Sequence, residues 1–131
     1  MKRFLTMVFL LLAVPLAAQE RDIQAVIEGQ REAFQDRDVG QAFSYASPMI
    51  KGMFGTSQNF GMMVRQGYPM VWDNAETLFL DLRDEGGLLW QRVQVRDSSG
   101  GFHMLDYQMI ETENGWQING VRILPAPDLG V

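Results

Sequence analysis

The sequence contains no cysteine and a single histidine, His103, among its 131 residues. Without cysteine the chain has no disulfide, no thiolate metal site and no cysteine nucleophile. No second histidine or carboxylate cluster accompanies His103 at metal-ligand spacing, so we expect no metal centre and no cofactor. The glycine-rich phosphate loops and the GxSxG serine motif are also missing. Stability must therefore come from packing, and any chemistry must come from ordinary polar side chains.

The N-terminal segment 1–18 has the layout of a secretory signal peptide. Two basic residues open it, an uncharged apolar run at 4–14 follows, and small residues close it. The run is roughly half the length that a bilayer-spanning helix needs. We therefore expect cleavage after Ala18, or alternatively after Ala17, and no stable membrane anchor. The mature domain at 19–131 is then exported, either to the periplasm or to the outside of the cell.

The mature part is acidic. Loss of the signal peptide would leave 9 basic and 16 acidic side chains, a formal charge of −7 in place of −5. Proteins that bind nucleic acid carry a basic stripe that neutralises phosphates. Here the one remaining lysine is Lys51 and the arginines are scattered, so we expect no nucleic-acid partner.

Helical periodicity marks the first half of the mature chain. Apolar residues recur at helical spacing from 20 to 37, which predicts an amphipathic helix. Asp38 can cap a second, short helix that stops near Ser47, because the following proline disfavours helical geometry before it. A third helix is predicted to open at Thr56 or Ser57.

The second half has the two-residue alternation of β-strands. Glycine-containing turns separate four such stretches, which we place at about 76–83, 88–96, 102–111 and 116–124. Turns this short join neighbouring antiparallel strands, so the four strands form a meander. Helices followed by such a sheet predict a single α+β domain. A β-bulge at Asn119-Gly120 would bring four apolar residues of the last strand onto the core face, namely Trp116, Ile118, Val121 and Ile123.

Several short motifs together resemble a known family. In chain order they are Phe34, Phe54-Gly55-Thr56-Ser57, Phe60 with Met63-Val64, Gly67-Tyr68-Pro69, Gln91-Arg92-Val93 and Gly115-Trp116-Gln117-Ile118-Asn119-Gly120. With these motifs the chain resembles the bacterial domain of unknown function 4864 family, in the nuclear transport factor 2-like (cystatin-like) superfamily. The resemblance implies N-terminal helices packed on a curved four-stranded antiparallel meander, which together form a cone. It implies no reaction, because the superfamily includes isomerases, cyclases, transport factors and binding modules.

Alternation also predicts which side chains face the space between helices and sheet. If Tyr107 points inward, His103 lies on the same side and the neighbouring strand presents Gln91 there. A buried glutamine must find hydrogen-bond partners, so Gln91 either braces the helical half or lines a cavity. The predicted pocket residues are Gln91, Tyr107, His103, Tyr68, Phe34, Phe43 and Met63.

Asp106 offers a catalytic alternative, because it interrupts the opposite apolar phase of the same strand. If that phase faced inward, Asp106 with Tyr45 or Tyr107 could move a proton next to a carbonyl. The phase of Tyr107 makes an equally good core, so we expect Asp106 to be exposed on the convex face instead. His103 could be a general base or pH switch, but a lone histidine on a strand is more often structural.

These patterns favour an exported, non-catalytic ligand-binding or protein-interaction module with a mostly apolar pocket. The alternative is a small isomerase- or hydrolase-type enzyme that uses the same pocket, with Asp106 and Tyr45 as its catalytic candidates. A scaffold without a ligand is a third reading. The expected partners are a small apolar ligand, another protein, or a second copy of the chain docked on the outer face of the sheet, where Phe102, Met104 and Ile110 leave apolar area.

Overall fold

The computed structural model describes residues 15–125 of the chain. Within this part, five helices precede four strands. They are α1 (Leu16–Gln35), α2 (Val39–Ser44), α3 (Pro48–Phe54), α4 (Ser57–Gly67), α5 (Pro69–Trp72), β1 (Asn74–Glu85), β2 (Leu88–Asp97), β3 (Phe102–Thr112) and β4 (Gly115–Ile123). The strands form one antiparallel sheet in the order β1-β2-β3-β4. The predicted α+β architecture with a four-stranded meander is therefore confirmed.

Helix α1 packs its apolar stripe against the sheet. Ile23, Ile27, Ala33 and Phe34 are buried as their spacing predicts, and Gln30 is buried among them. The helix begins at Leu16, four residues before the predicted start. The two alternative cleavage positions thus lie in its first turn, ahead of the first buried residue. The predicted charged and apolar parts of the signal peptide, at 1–14, lie outside the described residues. No helix in the described range 15–125 is both long and apolar enough to cross a membrane.

The predicted caps of α2 and α4 are confirmed, and α3 is an additional helix. Asp38 Oδ1 accepts the Gln41 N–H at 3.0 Å, and Thr56 Oγ1 accepts the Asn59 N–H at 3.2 Å. Helix α3 begins at Pro48, directly after its cap Ser47. Proline disfavours a helix in the residue before it, but its fixed φ and missing N–H suit the first helical position. The same proline therefore separates α2 from α3 and starts α3.

Three irregularities interrupt the pairing of the outer strands. The β1–β2 register shifts between Asn74 and Glu76 and again between Phe79 and Leu82, and the β3–β4 register shifts so that Asn119 is the extra residue. The shift in β4 is the predicted bulge. Trp116, Ile118 and Val121 pack against the core as expected. Ile123 lies opposite Leu105 and therefore on the same face, although it is 48% exposed at the end of β4.

The face of the sheet toward the helices carries the core. Five residues of β2 and β3 alternate on it, Val93, Val95, Leu105, Tyr107 and Met109, and each is buried. The opposite face presents the other phase, including Trp90, Arg92, Met104 and Asp106. Helices thus cover one face of the sheet, and this arrangement creates the cavity described next.

Candidate functional site

An apolar pocket of about 240 Å³ lies between the helices and strands β3 and β4. Helix α1 closes one side, α3 and α4 form the outer wall, and the inner faces of β3 and β4 form the floor. Its lining comprises Gln30, Phe34, Ala46, Ile50, Met53, Phe54, Phe60, Met63, Val64, Tyr68, Val71, Tyr107, Ile118, Gly120 and Val121. An apolar cavity of ~150 Å³ is known to hold benzene, so this pocket has room for a ligand of about ten non-hydrogen atoms.

An aromatic cluster centred on Phe60 forms one wall of the pocket. The Phe60 ring lies 6.0 Å from the ring of Phe34, 5.2 Å from that of Phe43 and 5.9 Å from that of Phe54. Tilted and edge-on contacts at these distances add to the stability gained from burial. The rings come from α1, α2, α3 and α4, so these four helices meet at the aromatic cluster.

The bulge in β4 anchors the base of α3. Ser47 is fully buried, and its hydroxyl donates to Asn119 Oδ1 at 2.8 Å. The Ser47 N–H donates to the carbonyl of Ile118 at 2.8 Å, and the Ile118 N–H donates to the carbonyl of Tyr45 at 2.9 Å. The N-terminus of α3 is thus fixed to the sheet, while α3 itself has no fully buried residue.

Three polar side chains line the pocket, and none of the described lining residues is charged. Tyr68 donates its hydroxyl to the carbonyl of Val121 at 2.9 Å. The Gln30 amide donates from Nε2 to the carbonyl of Ala42 at 3.2 Å, which fixes Oε1 as a free acceptor with respect to residues 15–125. The Tyr107 hydroxyl has no hydrogen-bond partner in the same range, although the residue is only 4% exposed. The pocket therefore contains two unused hydrogen-bonding atoms.

The environment of Tyr107 keeps its hydroxyl protonated. Burial raises the pKa of Tyr107 strongly, the neighbouring Tyr68 adds to that increase, and Arg31 only partly opposes it. A neutral phenol can donate a hydrogen bond. At physiological pH the pocket therefore presents a hydroxyl donor at Tyr107 and no negative charge there.

Four of the seven predicted pocket residues line the pocket, namely Phe34, Met63, Tyr68 and Tyr107. Phe43 stands behind Phe60 and supports the wall without lining it. Gln91 and His103 lie elsewhere on the inner side of the sheet. These three residues are therefore outside the lining of this pocket, which meets the sheet at β3 and β4 only.

Gln91 braces a bulge in the sheet. Its side chain is fully buried, and Nε2 donates to the carbonyls of Leu80 at 2.8 Å and Arg92 at 2.9 Å. Leu80 lies within the irregular part of β1, where backbone carbonyls lose their regular ladder partners. Gln91 therefore braces β1 and not the helical half, while its Oε1 is enclosed without a partner in the described residues.

His103 closes the β2–β3 hairpin. Its Nε2 lies 2.7 Å from Asp97 Oδ2, and Asp97 Oδ1 accepts the N–H groups of Ser99 and Gly101, both at 2.9 Å. The hydrogen bond from His103, followed by that from the Gly101 N–H, lowers the pKa of the Asp97 carboxyl. His103 thus belongs to a turn and is remote from the pocket lining.

The two runner-up catalytic residues lie apart. Asp106 is on the outer face, where its carboxylate binds Arg83 and Arg92, so it contributes nothing to the pocket. It is 2% exposed, and the expectation of an exposed side chain is wrong because the two arginines cover it. Tyr45 packs against Gly29 of α1, where a Cβ atom would overlap its ring. The structure therefore does not bring Asp106 and Tyr45 together.

Sequence reasoning missed Gln30 and the pocket face of α3. Gln30 occupies the apolar stripe of α1 at helical spacing from Ile23, Ile27 and Phe34, and a glutamine at such a position is the signal that could have identified it. Ile50, Met53 and Phe54 of α3 follow Ser47-Pro48, a cap followed by proline at the first helical position. Both signals are local and readable from the sequence.

Within residues 15–125, no group of three or more acidic or histidine side chains is placed to hold a metal ion. No curated protein and no solved structure matches the chain. One family does match, over residues 16–131, which include the whole pocket and sheet. By that match the chain belongs to the family described as Domain of unknown function (DUF4864).

Proposed function

We propose that this protein is an exported, non-catalytic binding module whose pocket holds a small apolar ligand. The observation that carries the proposal is the pocket itself, about 240 Å³ of space with an almost entirely apolar lining. Natural ligand sites combine an apolar lining with a few placed polar groups. The three uncharged polar side chains of the lining fit that pattern.

The composition of the lining favours binding over catalysis. Proton-transfer catalysis needs an acid or base within hydrogen-bond reach of the substrate. None of the described lining residues is Asp, Glu, His, Lys or Arg, and Asp106 is occupied on the other face of the sheet. The isomerase or hydrolase alternative therefore has no observation in its favour.

Helix α3 makes the outer wall of the pocket adaptable. Met53 lines the pocket and is nevertheless 65% exposed, so it stands at the rim. Methionine side chains are flexible and polarisable, and they adapt to ligands of different shape. A short helix that is fixed at Ser47 and carries no fully buried residue is suited to admit a ligand.

We also propose membership of the nuclear transport factor 2-like superfamily and export from the cytoplasm. The superfamily proposal is supported by helices that cover one face of a meander whose outer strands carry bulges, since bulges curve sheets.

The export proposal is supported by the charge and apolar order of segment 1–18. N-terminal sequencing of the cell-envelope fraction tests it, and a mature protein that still begins at Met1 would overturn it.

Methionine-methyl NMR tests the binding proposal directly. The protein, expressed as the full chain with ¹³C-methyl methionine, is titrated with ethylbenzene, an apolar compound of the size that the pocket accepts. We expect saturable shifts of the Met53 and Met63 methyl resonances. Met104 on the outer face serves as an internal reference that stays unchanged. If no concentration of ethylbenzene shifts Met53 or Met63, the binding proposal fails.

A pair of tryptophan variants localises the binding. Met63→Trp places a bulky ring in the pocket and should abolish the Met53 shift. Met62→Trp makes the same change at the adjacent residue, which is 60% exposed and outside the lining, and should leave the shift intact. Equal binding by both variants would place the ligand elsewhere.

The homodimer expected from the sequence stays a prediction. Phe102 is 64% exposed and Leu78 is 57% exposed on the outer face of the sheet, and apolar area of this kind favours association. Light scattering at high micromolar concentration should report a dimer, and Phe102→Glu should convert it to monomer. A monomeric wild-type protein would exclude this association.

A further inference from the structure

Two tyrosines line the pocket, and only one of them uses its hydroxyl within the protein. Tyr68 donates to the Val121 carbonyl at 2.9 Å. Tyr107 is more deeply placed, on the floor formed by β3, and its hydroxyl has no partner among residues 15–125. The hydroxyl oxygen is not among the enclosed polar atoms that lack a partner in the described residues, so it opens on the space of the pocket.

The open side of the Tyr107 hydroxyl makes it available to a ligand. A hydroxyl that faces a pocket can bond water when the pocket is empty, and a ligand that displaces this water must supply an equivalent partner or lose affinity. A tyrosine is useful at this position if a group that is absent from the chain itself completes the hydrogen bond.

We propose that the ligand is an uncharged, mainly apolar molecule whose polar group accepts a hydrogen bond from the Tyr107 hydroxyl, such as a ketone, an ester or an alcohol. This inference rests on the proposed function and specifies its ligand class. Gln30 Oε1 is the second atom without a partner, and as an amide oxygen it can only accept hydrogen bonds, while Nε2 donates to the Ala42 carbonyl. A ligand hydroxyl within reach of both atoms would use the two together.

The absence of charged side chains among the described lining residues excludes ionised ligands. A carboxylate or phosphate placed in a mostly apolar pocket loses its hydration, and it needs a cation or several donors in return. No described lining residue is cationic. Arg31 and Arg83 are each committed to carboxylates at other sites, so they do not neutralise a ligand in the pocket.

Four compounds of matched size test this ligand class in the wild-type protein. Ethylbenzene has no hydrogen-bonding group, acetophenone has an acceptor, 1-phenylethanol has a donor and an acceptor, and benzoate is charged at neutral pH. Affinities are read from the Met53 and Met63 methyl shifts. One net hydrogen bond corresponds to about a three- to tenfold gain in affinity. We expect acetophenone and 1-phenylethanol to exceed ethylbenzene by that factor, and benzoate to bind most weakly.

Tyr107→Phe tests the residue. The variant should bind ethylbenzene as well as the wild type does and should lose the preference for acetophenone. Tyr45→Phe is the matched control, because Tyr45 is outside the lining and its hydroxyl accepts only a 3.3 Å bond from Gln41. It should keep the wild-type preference.

The outcomes separate the two proposals. If ethylbenzene and acetophenone both fail to shift Met53 and Met63, the binding function itself fails. If ethylbenzene binds and acetophenone gains nothing, or if Tyr107→Phe keeps the preference, the pocket binds ligands but the role of Tyr107 is overturned. Tightest binding by benzoate overturns the uncharged class. Should Tyr107→Phe fail to fold, the ranking of the four compounds by the wild-type protein still decides the question.

Discussion

The two faces of the sheet bury polar groups in opposite ways. On the inner face, Tyr107 and Gln30 line the pocket. Their polar atoms without a partner are reachable from it, since the enclosed atoms that lack a partner within residues 15–125 are Gln91 Oε1 and Gln117 Oε1. On the outer face, Asp106 is equally buried, yet each of its oxygens accepts two arginine N–H groups. The inner polar atoms remain available to a ligand, whereas the carboxylate of Asp106 on the outer face is fully bonded within the protein.

Asp106, Arg83 and Arg92 form a structural ion-pair cluster on the outer face of the sheet. Arg83 reaches Asp106 at 3.2 and 2.9 Å and also contacts Glu85 at 3.2 Å, while Arg92 binds both oxygens of Asp106 at 3.2 Å. Arg83, Arg92 and Asp106 belong to β1, β2 and β3, so one carboxylate ties three strands together. A carboxylate whose oxygens are all bonded within the chain has a stabilising role, whereas an uncommitted hydroxyl that opens on a pocket is available to a ligand.

The largest effect is expected from Asp106→Asn. Removal of one partner of a buried ion pair leaves the others uncompensated, which typically costs 3–5 kcal/mol, and we expect a loss of about 3 kcal/mol in the free energy of unfolding. Urea denaturation measures it. Asp81→Asn, at an exposed position of β1, is the control and should change stability by less than about 0.5 kcal/mol.

Equal losses of stability in Asp106→Asn and Asp81→Asn would contradict the stabilising role of this ion-pair cluster. A further variant asks whether charge or packing matters at this site. Replacement of Arg83 and Arg92 by Met together with Asp106 by Leu removes the desolvated charges as a set. Such replacements are often neutral or stabilising, so this triple variant should recover most of the stability that Asp106→Asn loses.

Acid should weaken the outer face selectively. Burial tends to raise the pKa of the Asp106 carboxyl, but the hydrogen bonds from Arg83 and Arg92 outweigh burial and lower it below its ordinary value. The unfolded value is about 3.9, so this stabilisation is complete above that pH and is lost as pH falls through the lowered folded value. The stability difference between wild type and Asp106→Asn should therefore shrink from pH 7 to pH 3. A difference that stays constant over that range would contradict this assignment.

Gln91→Ala should lower stability without changing ligand affinity. The substitution leaves a cavity and removes the donor to the carbonyls of Leu80 and Arg92, for a loss of about 2–3 kcal/mol. The wild-type affinity for acetophenone should persist per folded molecule. Gln94→Ala, on the outer face of the same strand, is the control and should change little. Weaker binding of acetophenone at unchanged stability would indicate that Gln91 contacts the ligand.

The sequence predicts the elements of this fold better than it predicts the pocket. Alternation and turn residues place all four strands to within about two residues, because those signals are local. The exposure of Asp106 was predicted wrongly, because the arginines that cover it come from β1 and β2 and the cross-strand register decides their reach. Gln91 faced inward as alternation requires, but its neighbours depend on a bulge in β1 that leaves no clear mark in the sequence.

Tyr68→Phe should have a moderate effect. The hydroxyl donates to the Val121 carbonyl at 2.9 Å, and its removal leaves that carbonyl without this partner. One such hydrogen bond contributes about 1 kcal/mol. We expect a loss of this size in urea denaturation, with any change in affinity applying equally to ethylbenzene and acetophenone. No loss of stability would mean that the Tyr68 hydroxyl is as dispensable to the fold as that of Tyr107.

Tyr107→Phe should have the smallest effect on stability, and of opposite sign. Its hydroxyl opens on the pocket and is not among the enclosed atoms that lack a partner in the described part of the chain, so its removal takes away no hydrogen bond within the protein. The free energy of unfolding should stay unchanged or rise by no more than about 0.5 kcal/mol. Urea denaturation of this variant beside Tyr68→Phe and Tyr45→Phe measures the contrast, with Tyr45→Phe expected near zero. A loss as large as that of Tyr68→Phe would show that the Tyr107 hydroxyl is bonded within the protein. In that case the polar groups of the inner face, like those of the outer one, would stabilise the fold, and the Tyr107 hydroxyl would not be free to donate to a ligand.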